Sequence, residues 1–146
     1  MKVGLKRVST APTKGSSIVT TLGVAKGQAV QELGWDDDVD EELRSAVLDA
    51  LGEDFVYEAL EAVDVVLLWW RDVDGDLGDG LVDALTDLTE RGYIWLMTPR
   101  ISREGYVDPA DLAEAALTAG LALANTASVS QGWQGHKLVR PKGVRR

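Results

Sequence analysis

Ala62-Val63-Asp64-Val65-Val66-Leu67-Leu68-Trp69-Trp70 is the stretch on which the fold turns. Only Asp64 interrupts a β-rich apolar run. Successive side chains of a strand point to opposite faces, so a strand apolar at every position needs cover on both. That predicts a central strand in a parallel sheet. Tyr93 to Thr98 (YIWLMT) reads as a second buried strand, stopped by Pro99. Between the two, Asp72 to Gly80 is an acidic, glycine-containing loop. A helix is expected from about Gly80 to Arg91, with Leu81, Leu85 and Leu88 on one face and Gly92 ending it. Downstream, Arg100 to Val107 is a loop. Asp108 and Pro109 then open a helix as N-cap and first residue, running to Ala119 before Gly120. Leu121 to Val129 is a further strand, and Trp133 to Val139 returns from the Gln131-Gly132 turn. That turn is too short for a crossover, so the last two strands form an antiparallel hairpin.

Upstream, Ser16 to Gly23 places Ile18, Val19 and Leu22 on one helical face. Gln28 to Leu33 is a short strand. A helix of about Val39 to Leu51 follows, repeating Leu43, Val47 and Leu51, with Gly52 beyond its end. Glu53 to Ala62 reads equally as a strand at Phe55–Tyr57 or as a helix through Leu60. Strand and helix alternating in this order predict an α/β fold: a three-layer sandwich on a mostly parallel sheet, closed by the C-terminal hairpin.

The 146 residues suit one domain, and the composition, 45% hydrophobic and 27% charged, is that of a globular chain. Charge is distributed unevenly. Residues 1–15 hold four basic residues and no acid, and residues 137–146 hold five, which leaves 16–136 with six basic against all 24 acidic residues, or −18. The expected organisation is a disordered basic tail over 1–15, one α/β domain over 16–140, and a second basic tail over 141–146. An acidic body repels nucleic acid and anionic membranes, leaving the tails as the only route to phosphate. The longest apolar run, Val65 to Trp70, is far short of a membrane span. With no signal segment visible, a cytoplasmic location is expected. The chain has no cysteine, which removes disulfides, thiolate metal sites and cysteine nucleophiles.

Several pieces together carry a family resemblance: Leu22-Gly23-Val24 with Gly27, the strand Val63 to Trp70, Ile94-Trp95-Leu96 followed by Thr98-Pro99-Arg100, Ala119-Gly120-Leu121, and Trp133-Gln134-Gly135-His136-Lys137-Leu138-Val139. They span about residues 16–142. Over that length the chain resembles a bacterial family catalogued as domain of unknown function 3052. The acidic segment Gly34 to Glu42 and the Trp69-Trp70 pair look like its actinobacterial branch. Elsewhere in that family the residue after the proline is more often Lys, where this chain has Arg100. The arrangement also resembles the Rossmann-like fold of S-adenosylmethionine-dependent methyltransferases. That second resemblance implies a glycine-rich turn after the first strand, where backbone approaches the cofactor.

In this sequence that turn is Gly34-Trp35-Asp36-Asp37-Asp38. One glycine remains, and an indole with three carboxylates stands where an anionic cofactor group would lie. The carboxylates are expected to engage the amides of the following helix, leaving a degenerate loop and no bound cofactor. In open α/β sheets the ligand crevice lies at the carboxyl ends of the strands. Residues expected there are Trp70, Arg71, Thr98, Pro99 and Arg100, with Trp133, His136 and Lys137 added by the hairpin. An aromatic ring beside arginine suits an anionic or aromatic ligand, or a peptide carboxylate. Asp72, Asp74 and Asp76 match the first ligands of a calcium loop, but Leu77 replaces the glycine such a loop needs and Asp83 stands where a longer Glu belongs. No metal site is expected. His136, the only histidine, has no nucleophile pattern beside it, so no catalytic residue is assigned. The expected function is therefore a small binding or regulatory protein without catalysis, acting through a protein partner or a small ligand. The alternatives are a divergent methyltransferase-like enzyme, with Asp36, Asp37 or Asp38 touching a cofactor ribose, and nucleic-acid binding through the tails.

Overall fold

The computed structural model describes residues 14–58 and 61–141. The basic tails fall largely outside these residues, although Lys14 and Gly15, expected in the N-terminal tail, already belong to a helix. In chain order the elements are α1 (Lys14–Leu22), β1 (Val30–Leu33), α2 (Glu41–Leu51), β2 (Val63–Trp69), a 3-10 turn (Asp72–Asp74), α3 (Leu77–Ala84), β3 (Leu88–Pro99), α4 (Pro109–Thr118), β4 (Ala122–Ser128) and β5 (Trp133–Val139). The sheet runs β1-β2-β3-β5-β4. β1, β2 and β3 are mutually parallel, and β5 lies antiparallel to both neighbours.

β2 is buried on both faces, as its sequence predicts. Val65, Leu67 and Trp69 point into a core with Leu22, Leu43, Val47 and Leu51 of α1 and α2. Val66 and Leu68 point into a second core with Leu77, Leu81, Leu112 and Ala116 of α3 and α4. The result is an α/β/α sandwich. Val63 breaks the alternation because the β2–β3 register shifts between Val63 and Val65. The capping chemistry is local: Asp40 accepts from the Leu43 amide at 2.8 Å, and Gly52 closes α2 in the left-handed region at φ 78°.

Two expectations need correction. α3 begins at Leu77 and ends at Ala84, rather than spanning Gly80 to Arg91. Asp76 is its N-cap, accepting from the Asp79 amide at 3.0 Å. Leu88 to Gly92 lie within β3, because Leu88 pairs with Val63 across the sheet and pairing overrides helical spacing. The segment left open after α2 takes its strand-like alternative, contributing one parallel bridge, Gln31 to Val56. The Val56 amide donates to Val30 O at 2.8 Å, and the Glu32 amide donates to Val56 O at 3.2 Å. The chain thus leaves β1, passes α2, touches the outer side of β1 at Val56, and crosses to its other side as β2. Strand order reverses at β1, which makes the carboxyl ends of β1 and β2 the switch point where α/β sheets open a crevice.

Candidate functional site

At that switch point stands Arg71, directly after β2. It is 8% exposed. Its Nη1 donates to Gly34 O at 2.7 Å, at the end of β1, and to Trp69 O at 3.4 Å, at the end of β2. Nε donates to an Asp38 carboxylate oxygen at 3.0 Å, and Nη2 donates to the other. Asp74 accepts from the Arg71 amide at 2.9 Å and from Nη1 at 3.4 Å. The Arg71 guanidinium lies over the Trp133 ring at 5.3 Å, and Arg103 over the same ring at 5.6 Å. Trp133 in turn meets Trp69 edge-on with centroids 4.8 Å apart, and its Nε1 donates to Asp38 O at 3.3 Å. The hydrogen bond from Arg71 holds the Asp38 carboxyl below its ordinary range. Burial disfavours the charge on Arg71, yet the bonds to Asp38 and Asp74 raise its pKa.

The closure therefore differs in detail from the one read in the sequence. Trp35 does not fill the space: it is 51% exposed, its Nε1 donating to Glu41 at 3.2 Å. Asp36 and Asp37 are exposed, and Asp36 accepts from the Asp37 amide at 2.7 Å. None of Asp36, Asp37 and Asp38 caps α2; Asp40 does, which frees Asp38 for Arg71. Gly34 has φ 80°, and a Cβ there would sit 2.2 Å from Trp69 O, so the backbones of β1 and β2 meet closely where their strands end.

Beneath this plug lies a charged cluster that the sequence reading missed. The Glu32 side chain is fully buried, yet carries a carboxylate paired bidentately with Arg44 at 2.6 and 2.7 Å. Trp69 Nε1 and Tyr57 Oη also donate to it, at 2.9 and 3.2 Å. The only sequence signal was a carboxylate inside the short strand Val30-Gln31-Glu32-Leu33.

The other expected crevice residues separate. Lys137 lies on the α1/α2 face, its ammonium 4.3 Å over the Tyr93 ring. Trp70 is half-buried against the α3/α4 core, beside Gly80. Pro99 is buried, contacting the Gly105 turn. Thr98, Arg100 and His136 come together on the α3/α4 face, lining a groove of about 600 Å³ beside α4. Its walls, including Tyr106, Leu112 and Leu117, were not foreseen, because an alanine-rich helix does not reveal which face stays open. Thr98 Oγ1 lies 3.1 Å from His136 Nε2. Burial lowers the His136 pKa, so the ring is neutral at pH 7.

That shift sets a pH dependence. The unfolded chain takes up a proton on His136 more readily than the folded one, so its contribution to stability is complete above about pH 6.5 and is lost as pH falls below it. Urea midpoints at about pH 7.5 and about pH 5.5 are expected to differ less in His136→Gln than in the native chain.

The calcium-loop carboxylates are dispersed. Asp74 serves Arg71, Asp76 caps α3, and Asp72 is exposed. Among the described residues no group of three or more His, Asp or Glu is arranged to hold a metal ion. None of their helices is long and apolar enough to cross a membrane.

Comparison with known proteins follows the same lines. A family model described as "Protein of unknown function (DUF3052)" matches residues 19–142. The uncharacterized protein Rv2239c of Mycobacterium tuberculosis and Mb2263c of Mycobacterium bovis are each 47% identical over 134 residues, covering 90% of this chain and 84% of theirs. Among solved structures, the O-methyltransferase NcsB1 from neocarzinostatin biosynthesis aligns with TM-score 0.59 and 14% identity, over 77% of this chain and 49% of that one. The mitomycin 7-O-methyltransferase MmcR aligns with TM-score 0.57 and 13% identity, over 87% of this chain and 54% of that one. The chain thus spans about half the length of these two. A TehB-like S-adenosylmethionine-dependent methyltransferase from Corynebacterium glutamicum aligns with TM-score 0.53 and 13% identity, over 90% of each chain. At such identities the likeness shows a shared Rossmann-like fold, and that alone.

Proposed function

We propose, for a chain that belongs to the family described as Protein of unknown function (DUF3052), that it is a small binding or regulatory protein without catalysis, built on a methyltransferase-like scaffold and working in the cytoplasm through a small ligand or a protein partner. One observation carries this reading: Arg71 occupies the switch-point crevice, bonded to the ends of both strands that form it and to Asp38. A dinucleotide or adenosyl cofactor needs that opening, with free amides at the start of the following helix. Here the first turn of α2 is served by Asp40 and carries Glu41 and Glu42, so an incoming carboxylate or phosphate would meet like charge. The residues present do not fit S-adenosylmethionine.

Calorimetric titration tests this directly. The native chain is expected to give no heat of binding with S-adenosylmethionine or S-adenosylhomocysteine. Micromolar binding of either would overturn the reading and restore the enzyme. The −18 charge of residues 16–136 argues against nucleic acid, and a low-salt gel shift is expected to show none that survives removal of the tails.

A further inference from the structure

On the face carrying α3 and α4 the sheet is apolar through Val66, Leu68, Ile94, Leu96 and Leu138. Towards the carboxyl ends of β3 and β4 its character changes. Thr98 pairs with Gln134 across β3 and β5, and His136 pairs with Thr126 across β5 and β4. Directly paired residues share a face, so these four neutral hydrogen-bonding side chains form one patch on the sheet. α4 passes beside the patch without covering it. On that side Ala113 and Ala116, between Leu112 and Leu117, are too small to reach across, and the gap is the groove of about 600 Å³. Its size and apolar walls with a few convergent polar groups are those of a small-molecule site.

The charge at its rim defines the occupant. Arg100 lines the groove, and its Nη1 donates to a single backbone carbonyl, Ser130 O at 3.2 Å. No carboxylate pairs with it among the described residues, although the body is strongly acidic. A guanidinium left unpaired beside an apolar slot suits a carboxylate, which it can bind in two parallel hydrogen bonds. The slot is bounded by the sheet on one side and by Leu112, Ala113, Ala116 and Leu117 of α4 on the other, with Tyr106 on the wall. A groove walled by a sheet surface and an aromatic ring favours a flat ring over a coiled chain.

We propose that this slot binds a flat aromatic monocarboxylate, its ring over Thr98 and His136 and its carboxylate on Arg100. The assignment deepens the binding-protein reading and rests on it. The slot lies on the α3/α4 face, away from the crevice filled by Arg71.

The test is an amide-resolved NMR titration of the full chain with 2-naphthoate, with the neutral 2-naphthalenemethanol and the flexible decanoate as comparisons. Saturable shifts are expected at 98–107, 112–117 and 134–136. Arg100→Gln is expected to weaken 2-naphthoate binding roughly tenfold or more, the scale of one charge-assisted hydrogen bond. Its melting temperature should stay close to native, since it loses one bond to a loop carbonyl. Ala113→Trp, at an exposed position on the slot wall, is expected to abolish binding by filling the space. Absence of saturable shifts, equal binding of the neutral alcohol, tighter binding of decanoate, or binding indifferent to Arg100→Gln would each overturn the assignment. The two readings fail separately. Loss of this site with no heat from S-adenosylmethionine removes the ligand assignment alone, whereas S-adenosylmethionine binding removes the non-catalytic reading.

Discussion

Arg44→Met is expected to lower stability by about 3–5 kcal/mol, the usual cost of leaving a buried charge without its partner. Glu32 is the reason. Its side chain is fully buried on β1, and Arg44 from α2 supplies two of its hydrogen bonds. Trp69 and Tyr57 would still donate to the carboxylate, but neither brings a positive charge. The variant would also lose the cation–π contact of the Arg44 guanidinium, 5.4 Å over the Phe55 ring. A loss of this size should lower the melting temperature by about 10 °C in a domain of this length. Adding Glu32→Gln to Arg44→Met should recover part of it, because a neutral amide needs no counter-charge. If the double variant is less stable than the sum of the two single losses predicts, the pair is not coupled in this way. The salt bridge from Arg44 to Glu41 is solvent-exposed on the Glu41 side and adds little.

Gly34→Ala is the second large effect, expected at about 3–4 kcal/mol. Two costs combine. At φ 80° an alanine pays for the left-handed region, and its Cβ would stand 2.2 Å from Trp69 O, a backbone atom that cannot turn aside. Gly27→Ala separates the two. Gly27 is also left-handed, at φ 92°, but nothing lies within 4 Å of its would-be Cβ. Its replacement should cost only about 1 kcal/mol. Denaturant midpoints of the two variants therefore measure how closely β1 and β2 meet at the crevice. Equal losses would show that the approach at Gly34 is not crowded.

The sheet was legible where burial left a pattern in the chain. β2 announced itself through Val63 to Trp69, and β5 through the turn before Trp133. The α4 start followed from Asp108 and Pro109, whose chemistry is local. The end of α3 was not legible. Leu81, Leu85 and Leu88 keep helical spacing, and only pairing with Val63, distant in sequence, makes Leu88 a strand residue. The plug shows the same division. Arg71 and Trp133 were marked by type and by their places at strand ends. That Asp38 would turn to Arg71 could not be read, because Asp36, Asp37, Asp38 and Asp40 are equivalent acids until the fold decides which one caps the helix. Glu32 and Arg44 meet through the packing of α2 on the sheet, and no spacing rule joins them. Lys137 was grouped with His136 by adjacency in the chain, yet neighbouring strand residues face opposite ways.

Trp133 comes from the final strand, 95 residues after the Asp38 carbonyl to which it donates. Ribosomal synthesis delivers the N-terminal elements first. A nascent chain that has already threaded β1, β2 and β3 still has no indole to lay against the Arg71 guanidinium, and its notch stays wet. The seal arrives with the closing hairpin, so β5, rather than the segment that shapes the notch, decides when it shuts.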